Sequence, residues 1–228
     1  MKLGIIGPCD DELNPFLTHL QKPAAEKHAM LTFHTGTYAN TNIVAVRCGV
    51  CKVNAAIAAQ LLITRYEVTH LIVIGAAGAI CPALNVYDTV ITSDIAYHDV
   101  AEGILSLYYP MQTEYFPADT ALTTAIMHAN ASDLTVKKGR IVTGEAFIDI
   151  EGRDTIINAH APLCVDMETA AIAHVCYANA IPFTAIRTIS DTPHENGAAS
   201  MEKYFTNAGE KSVQVLLRYL DATAPKKG

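Results

Sequence analysis

The residues of this 228-residue chain that could do chemistry fall at the ends of its apolar runs. Glu12 follows the run Lys2 to Gly7, Glu168 closes Leu163-Cys164-Val165-Asp166-Met167-Glu168, and Asp191 follows Phe183 to Ser190. Arg187 stands inside that last run, where an unpaired guanidinium would be very costly, so at least one carboxylate should sit against it. Glu12 and Glu168 are the candidates. Three acids and one arginine around a crevice suit general acid/base work on a neutral polyhydroxylated substrate better than phosphate binding. Taken singly, Glu12 and Glu168 read as acids that improve a helix start and Arg187 as a structural ion pair. Their shared position at strand ends is what favours chemistry.

The elements that must position them follow from periodicity. Strands are expected at residues 2–7, 31–34, 42–47, 70–75, 88–97, 138–143 and 183–190, with a turn near Tyr38-Ala39-Asn40. Helices are expected from Asp10 to about Gln21 and over 52–65, 118–129, 153–159, 169–180 and 201–220, followed by a frayed tail over 222–228. The 52–65 helix reads as too apolar to be exposed. The strand at 70–75 runs into Gly75-Ala76-Ala77-Gly78-Ala79, a loop of small residues that lets something approach the backbone closely. Residues 100–117 have a mixed pattern compatible with a long loop. Alternating helices and apolar strands predict an α/β fold whose sheet is mostly parallel or mixed, covered on both faces, with ligands outside the carboxyl ends of the strands.

Composition narrows the function class. A net charge of -7 and a pI near 5.7 lack the basic surplus of a nucleic-acid binder. Half the residues are hydrophobic and 17% are charged, below the roughly 25% of an average domain, which points to an oligomer. One domain is expected, since no linker-like stretch divides the chain. The opening residues read as a strand rather than a leader, and no apolar run approaches the ~20 residues of a spanning helix, so a cytoplasmic location is expected. The six cysteines read as reduced thiols. Cys48-Gly49-Val50-Cys51 has redox spacing, and a helix start could lower the pKa of Cys51, although two small apolar fillers are the favoured reading. No metal-ligand arrangement is evident, so no metal or cofactor is expected.

Four segments carry a resemblance. Gly4-Ile5-Ile6-Gly7 with Glu12, Val142-Thr143-Gly144-Glu145-Ala146-Phe147-Ile148, Val165-Asp166-Met167-Glu168 and Ile186-Arg187-Thr188-Ile189-Ser190-Asp191 resemble, in order, the motifs of methylthioadenosine/S-adenosylhomocysteine nucleosidases. The resemblance implies a three-layer α/β/α fold with a central mixed, mostly parallel sheet, a homodimer without metal, and cleavage of an N-glycosidic bond to release adenine. It implies that Asp191 protonates the purine and Glu12 activates water. It further implies that Glu168 and the Met167 backbone hold the ribose, Arg187 fixes Glu168, Phe147 stacks on the base and Ile148 meets its edge. Ala76 and Ser190 complete the substrate-binding set. The 5′ pocket is expected to be apolar, lined by Cys9, Val50 and Met201 and capped by residues 100–111 (Val100 through Met111) of a partner.

This sequence departs from the pattern at Ala76, where a hydroxyl is usual, at Cys51 in place of Gly, and at Asp166 in place of Glu. Residues 100–117 depart more strongly, which bears on the 5′ substituent. The readings held open are a nucleosidase for another 5′-modified nucleoside such as aminodeoxyfutalosine, a phosphorylase, and a nucleoside-binding protein without turnover.

Overall fold

The computed structural model describes residues 1–148, 152–192 and 197–224. In chain order the elements are β1 (Lys2–Gly7), α1 (Asp10–Leu17), β2 (Gln21–His28), β3 (Leu31–Tyr38), β4 (Thr41–Arg47), α2 (Lys52–Thr64), β5 (His70–Ala79) and β6 (Thr89–Tyr97). There follow α3 (Ile104–Leu107), β7 (Phe116–Pro117), α4 (Thr120–Ala129), β8 (Val136–Thr143), α5 (Arg153–His160), β9 (Cys164–Asp166), α6 (Thr169–Ala178), β10 (Phe183–Asp191) and α7 (Gly197–Ala222).

The strands of one half are buried on both faces, and their residues divide by the period of two that a pleated strand imposes. Ile6, Val44, Val46, Leu71 and Val73 pack with Ala55, Ala58, Ala59 and Leu62 of α2 and with Ala170, Ile172 and Ala173 of α6. Their neighbours Leu3, Ile5, Ile43, Ala45, Ile72 and Ile74 pack instead with Phe16 of α1, Leu122 and Ile126 of α4, and Leu216 and Leu220 of α7. These side chains are nearly or completely removed from water.

The other half closes on itself. β5 pairs with β1 and β10 in parallel and with β9 antiparallel, while β9 pairs with β8, β8 with β6, and β6 with β10. Strands β5, β9, β8, β6 and β10 therefore form a ring, and β1, β4, β3 and β2 extend from it in that order. The sheet is mixed. Among the described residues five pairings are parallel and five antiparallel, so the expected parallel majority is absent.

Other expectations change as well. The first helix stops at Leu17 and not near Gln21, and the residues after it form β2, an exposed polar edge strand whose Pro23 lies at a register shift opposite β3. β5 runs through Gly75 to Ala79 as strand, so the small-residue stretch is no loop. Residues 100–117 contain the turn of helix α3, and Glu114 Oε1 accepts hydrogen bonds from the Gly103 N–H (2.6 Å) and the Ser106 hydroxyl (2.9 Å). α2 is not wholly buried, since Val53 is 70% and Ile57 45% exposed. The tail expected beyond Ala222 lies, from 225 onward, outside the described residues. No helix among them is long and apolar enough to cross a membrane.

Candidate active site

A cavity of about 490 Å³ opens where β1, β5, β9 and β10 end, and Glu12, Val50, Ala76, Phe147, Ile148, Met167, Glu168, Ser190, Asp191 and Met201 all line it. The sequence expected these residues together, and the ring explains why they meet. β9 runs antiparallel to β5 with Val165 opposite Gly78, so Met167 and Glu168 do not leave a shared parallel edge but follow a strand that runs back along β5. Cys9 lines the cavity too. Phe205, one helical turn beyond Met201 on α7, was not singled out from the sequence, although the i, i+4 spacing is its signal.

Arg187 lies beneath the cavity with no exposure at all. Its Nη2 donates to Glu168 Oε2 at 3.0 Å, its Nε lies 2.9 Å from Asp166 Oδ2 and donates to Thr169 Oγ1 at 3.1 Å, and its Nη1 lies 3.6 Å from Glu12 Oε1. Both candidate acids therefore face it, together with a third, Asp166, that the sequence did not put forward. Asp166 also accepts the Thr143 hydroxyl at 2.5 Å and the Thr169 N–H at 3.1 Å, so it locks β8, β9 and the start of α6 around the cation.

Three carboxylates share one guanidinium, and burial disfavours the excess negative charge. Burial pushes the Glu12 carboxyl up to about 7, against the pull of Arg187 and of the Ala76 N–H. Burial also raises Glu168, again opposed by Arg187. Glu12 is held by two backbone donors, the Cys9 N–H to Oε2 and the Ala76 N–H to Oε1, each at 2.8 Å. Glu168, at the N-cap of α6 and not in its first turn, accepts the Cys51 N–H at 3.0 Å.

The small residues of β5 do admit a close approach, but to the protein's own carboxylates. Gly75 has φ +143°, and a β-carbon there would overlap Glu12 Oε1 and come within 2.6 Å of Arg187 Nη1. A β-carbon on Gly78 would lie 2.9 Å from Asp191 Oδ2. Asp191 Oδ1 accepts the Ser190 hydroxyl at 3.0 Å. A second cation, Arg153 of α5, lies 3.8 Å from Asp191 Oδ2 and was not anticipated, because nothing local marks a short polar helix as part of the site.

Cys48 packs into the apolar core as a filler, while Cys51 is only partly buried. All six are free; burial raises Cys51, with the carboxylate of Glu145 adding to the effect, and burial drives Cys48 well above the ordinary thiol range. The helix start at α2 does not lower Cys51. Cys51 instead has φ +81°, a backbone conformation that favours glycine and that aims its N–H at Glu168. Among the described residues no group of three or more His, Cys, Asp or Glu is arranged to hold a metal ion.

Comparison with known proteins identifies the family. Residues 2–223 match the phosphorylase superfamily. The 5′-methylthioadenosine/S-adenosylhomocysteine nucleosidase of Shewanella sediminis is 35% identical over 97% of this chain and 99% of its own. The solved nucleosidase of the same name from Streptococcus pneumoniae, bound to the transition-state inhibitor MT-ImmA, superposes with a TM-score of 0.90 at 32% identity, covering 97% of this chain and 99% of that one. The one from Colwellia psychrerythraea, in complex with adenine, gives 0.88 at 30% identity over 97% and 95%. With the motifs, the fold and the carboxylate-lined cavity in agreement, the chain belongs to the 5′-methylthioadenosine/S-adenosylhomocysteine nucleosidase family of the phosphorylase superfamily.

Proposed function

We propose that the protein hydrolyses the N-glycosidic bond of 5′-methylthioadenosine and S-adenosylhomocysteine, releasing adenine and a 5-thio-substituted ribose. The observation that carries this reading is the pair of buried carboxylates, Glu12 and Asp191, that reach one cavity from different strand ends. Asp191 protonates the purine as the bond lengthens, so that the base leaves neutral. Glu12 orients and deprotonates water on the opposite face of an oxocarbenium-like sugar, the two-carboxylate logic of inverting glycoside hydrolysis. A carboxyl group near 7 is matched to taking a proton from water at neutral pH.

Glu168 and the Met167 backbone hold the ribose hydroxyls, and Arg187 fixes Glu168 by its 3.0 Å bond. Phe147 stacks on the base and Ile148 presents backbone groups to its edge. Ala76 offers its backbone to Glu12, and Ser190 orients Asp191. Cys9, Val50 and Met201 receive the 5′-thio substituent, whose soft sulfur suits them.

Residues 100–111 of a second copy close that pocket in a homodimer. The exposed Leu107, Tyr108 and Tyr109 of this segment and Val53 of α2 support the assignment. The same reading treats the chain as one cytoplasmic nucleosidase domain of residues 1–228, in which helices cover the sheet as three layers, with no metal or cofactor. The two apolar clusters on opposite faces of β1, β4 and β5 support the layering.

Phosphorolysis is the alternative that the superfamily raises. An anion needs donors and positive charge where it docks. The first turn of α1, just after β1, carries Asp10, Asp11 and Glu12, and the nearby Arg47 is taken up by Asp10 at 2.5 Å. Incubating the purified protein with methylthioadenosine, S-adenosylhomocysteine, adenosine and aminodeoxyfutalosine, with and without phosphate, tests the reading. Adenine and free methylthioribose should appear at a rate independent of phosphate. A sugar 1-phosphate, or a strong preference for aminodeoxyfutalosine, would refute it.

A further inference from the structure

We infer that Arg153 is a positioning residue that couples recognition of the purine edge to protonation of the leaving group. The inference rests on the proposed function. Arg153 opens α5, five residues after Ile148 but far in sequence from Ala79 and Asp191, and the residue is only 5% exposed. Its Nη1 donates to the Ala79 carbonyl at 2.6 Å, its Nη2 donates to the Ile148 carbonyl at 3.3 Å, and the same Nη2 lies 3.8 Å from Asp191 Oδ2. One planar fork thus joins the end of β5, the backbone that meets the base, and the acid that protonates it.

A lysine could not reproduce this geometry, because its donors radiate from a single nitrogen while a guanidinium spreads five across a rigid plane. Gly78 makes room for the same acid. The carboxylate of Asp191 sits against the bare Cα of that residue, where a β-carbon would be 2.9 Å from Oδ2, and Arg153 approaches the same oxygen. Ser190 donates to the other oxygen at 3.0 Å, so Asp191 has a hydroxyl at Oδ1 and a cation facing Oδ2. If the base shifts Ile148, the shift is transmitted through the guanidinium to the carboxylate that must meet the purine nitrogen.

A clamp that merely fastens α5 to β5 through Ala79 would affect every substrate alike. A residue acting through Asp191 would matter only where the leaving group needs a proton. The test compares methylthioadenosine with 4-nitrophenyl 5-methylthioriboside, whose phenolate departs without protonation, using wild type, Arg153→Met and Arg153→Lys. Wild-type cleavage of methylthioadenosine tests the proposed function separately. In Arg153→Met, kcat on the nucleoside should fall about 10²-fold, the loss that a misplacement of about 1 Å can cause, and by at least about tenfold more than on the aryl riboside. Arg153→Lys, which keeps the charge and guards against a folding defect in the Met variant, should show the same inequality with a smaller loss and a raised KM for the nucleoside. Equal losses on the two substrates, or wild-type kinetics on the nucleoside in the Lys variant, would overturn the inference.

Discussion

The charge state of Glu12 gives the most discriminating prediction. Buried beside Glu168 and only partly compensated by Arg187 at 3.6 Å, its carboxyl titrates at about 7 rather than near the ordinary 4.5. If Glu12 is the base, the free enzyme is active only when it is ionised. The ionised share is about one half at pH 7, about a tenth at pH 6 and about a hundredth at pH 5, so kcat/KM should fall about fivefold from pH 7 to 6 and about tenfold from pH 6 to 5. Stability should move the other way. A group whose folded value is raised adds stability that is complete below 4.5 and lost as pH rises through about 7, an amount of about 3 kcal/mol for this buried carboxyl. Glu12→Gln removes both dependences. It also sets an amide NH₂ against one of the two N–H donors from Cys9 and Ala76, which costs roughly 1–3 kcal/mol. The assay is adenine release at subsaturating methylthioadenosine from pH 5 to 8, alongside urea unfolding of both proteins over the same range. A kcat/KM that is flat from pH 5 to 8, or a wild-type minus Glu12→Gln stability difference that does not change with pH, would show the reasoning to be wrong.

Three further outcomes are expected. Asp191→Asn should keep the fold and lose roughly 10²-fold to 10⁴-fold in kcat, since the amide has no transferable proton; turnover within a few-fold of wild type would remove Asp191 from the acid role. Gly75→Ala should destabilise the protein by more than about 1–3 kcal/mol, because φ of +143° is strained for alanine and the new carbon meets Glu12 and Arg187; a melting temperature within a degree of wild type would contradict the described contact. Cys51→Gly should raise stability by about 1 kcal/mol, relief of the φ +81° strain outweighing the entropy lost to glycine, and should leave KM unchanged because the N–H to Glu168 is retained; a lower melting temperature would argue against strain at Cys51.

What the sequence revealed follows from which forces decide each element locally. β1, β4, β5 and β10 are legible because residues buried on both faces leave continuous apolar runs. β2 is not, because Gln21 to His28 are exposed and become a strand only through pairing with β3. Arg187 announced itself as a cation in an apolar run, and its need for carboxylates was correctly anticipated; that three would gather was not, since Asp166 lies 21 positions away and meets it only after β9 and β10 are placed. Arg153 gave no signal for the same reason. The small residues of β5 did signal close approach, yet the approaching groups, Glu12 and Asp191, came from the chain itself.

The ring of β5, β9, β8, β6 and β10 bears on how copies of this chain can associate. A strand with unpaired backbone groups invites another chain to continue the sheet. Ring closure leaves these five strands paired on both sides over part of their length, and the long path of strands ends at β2. There Lys22, Glu26 and Lys27 bring charge and Pro23 lacks an N–H, features that discourage strand addition. Continuation of the sheet at β2 is therefore disfavoured, and any association there would fall to side-chain surfaces such as the exposed Val53 and Ile57 of α2.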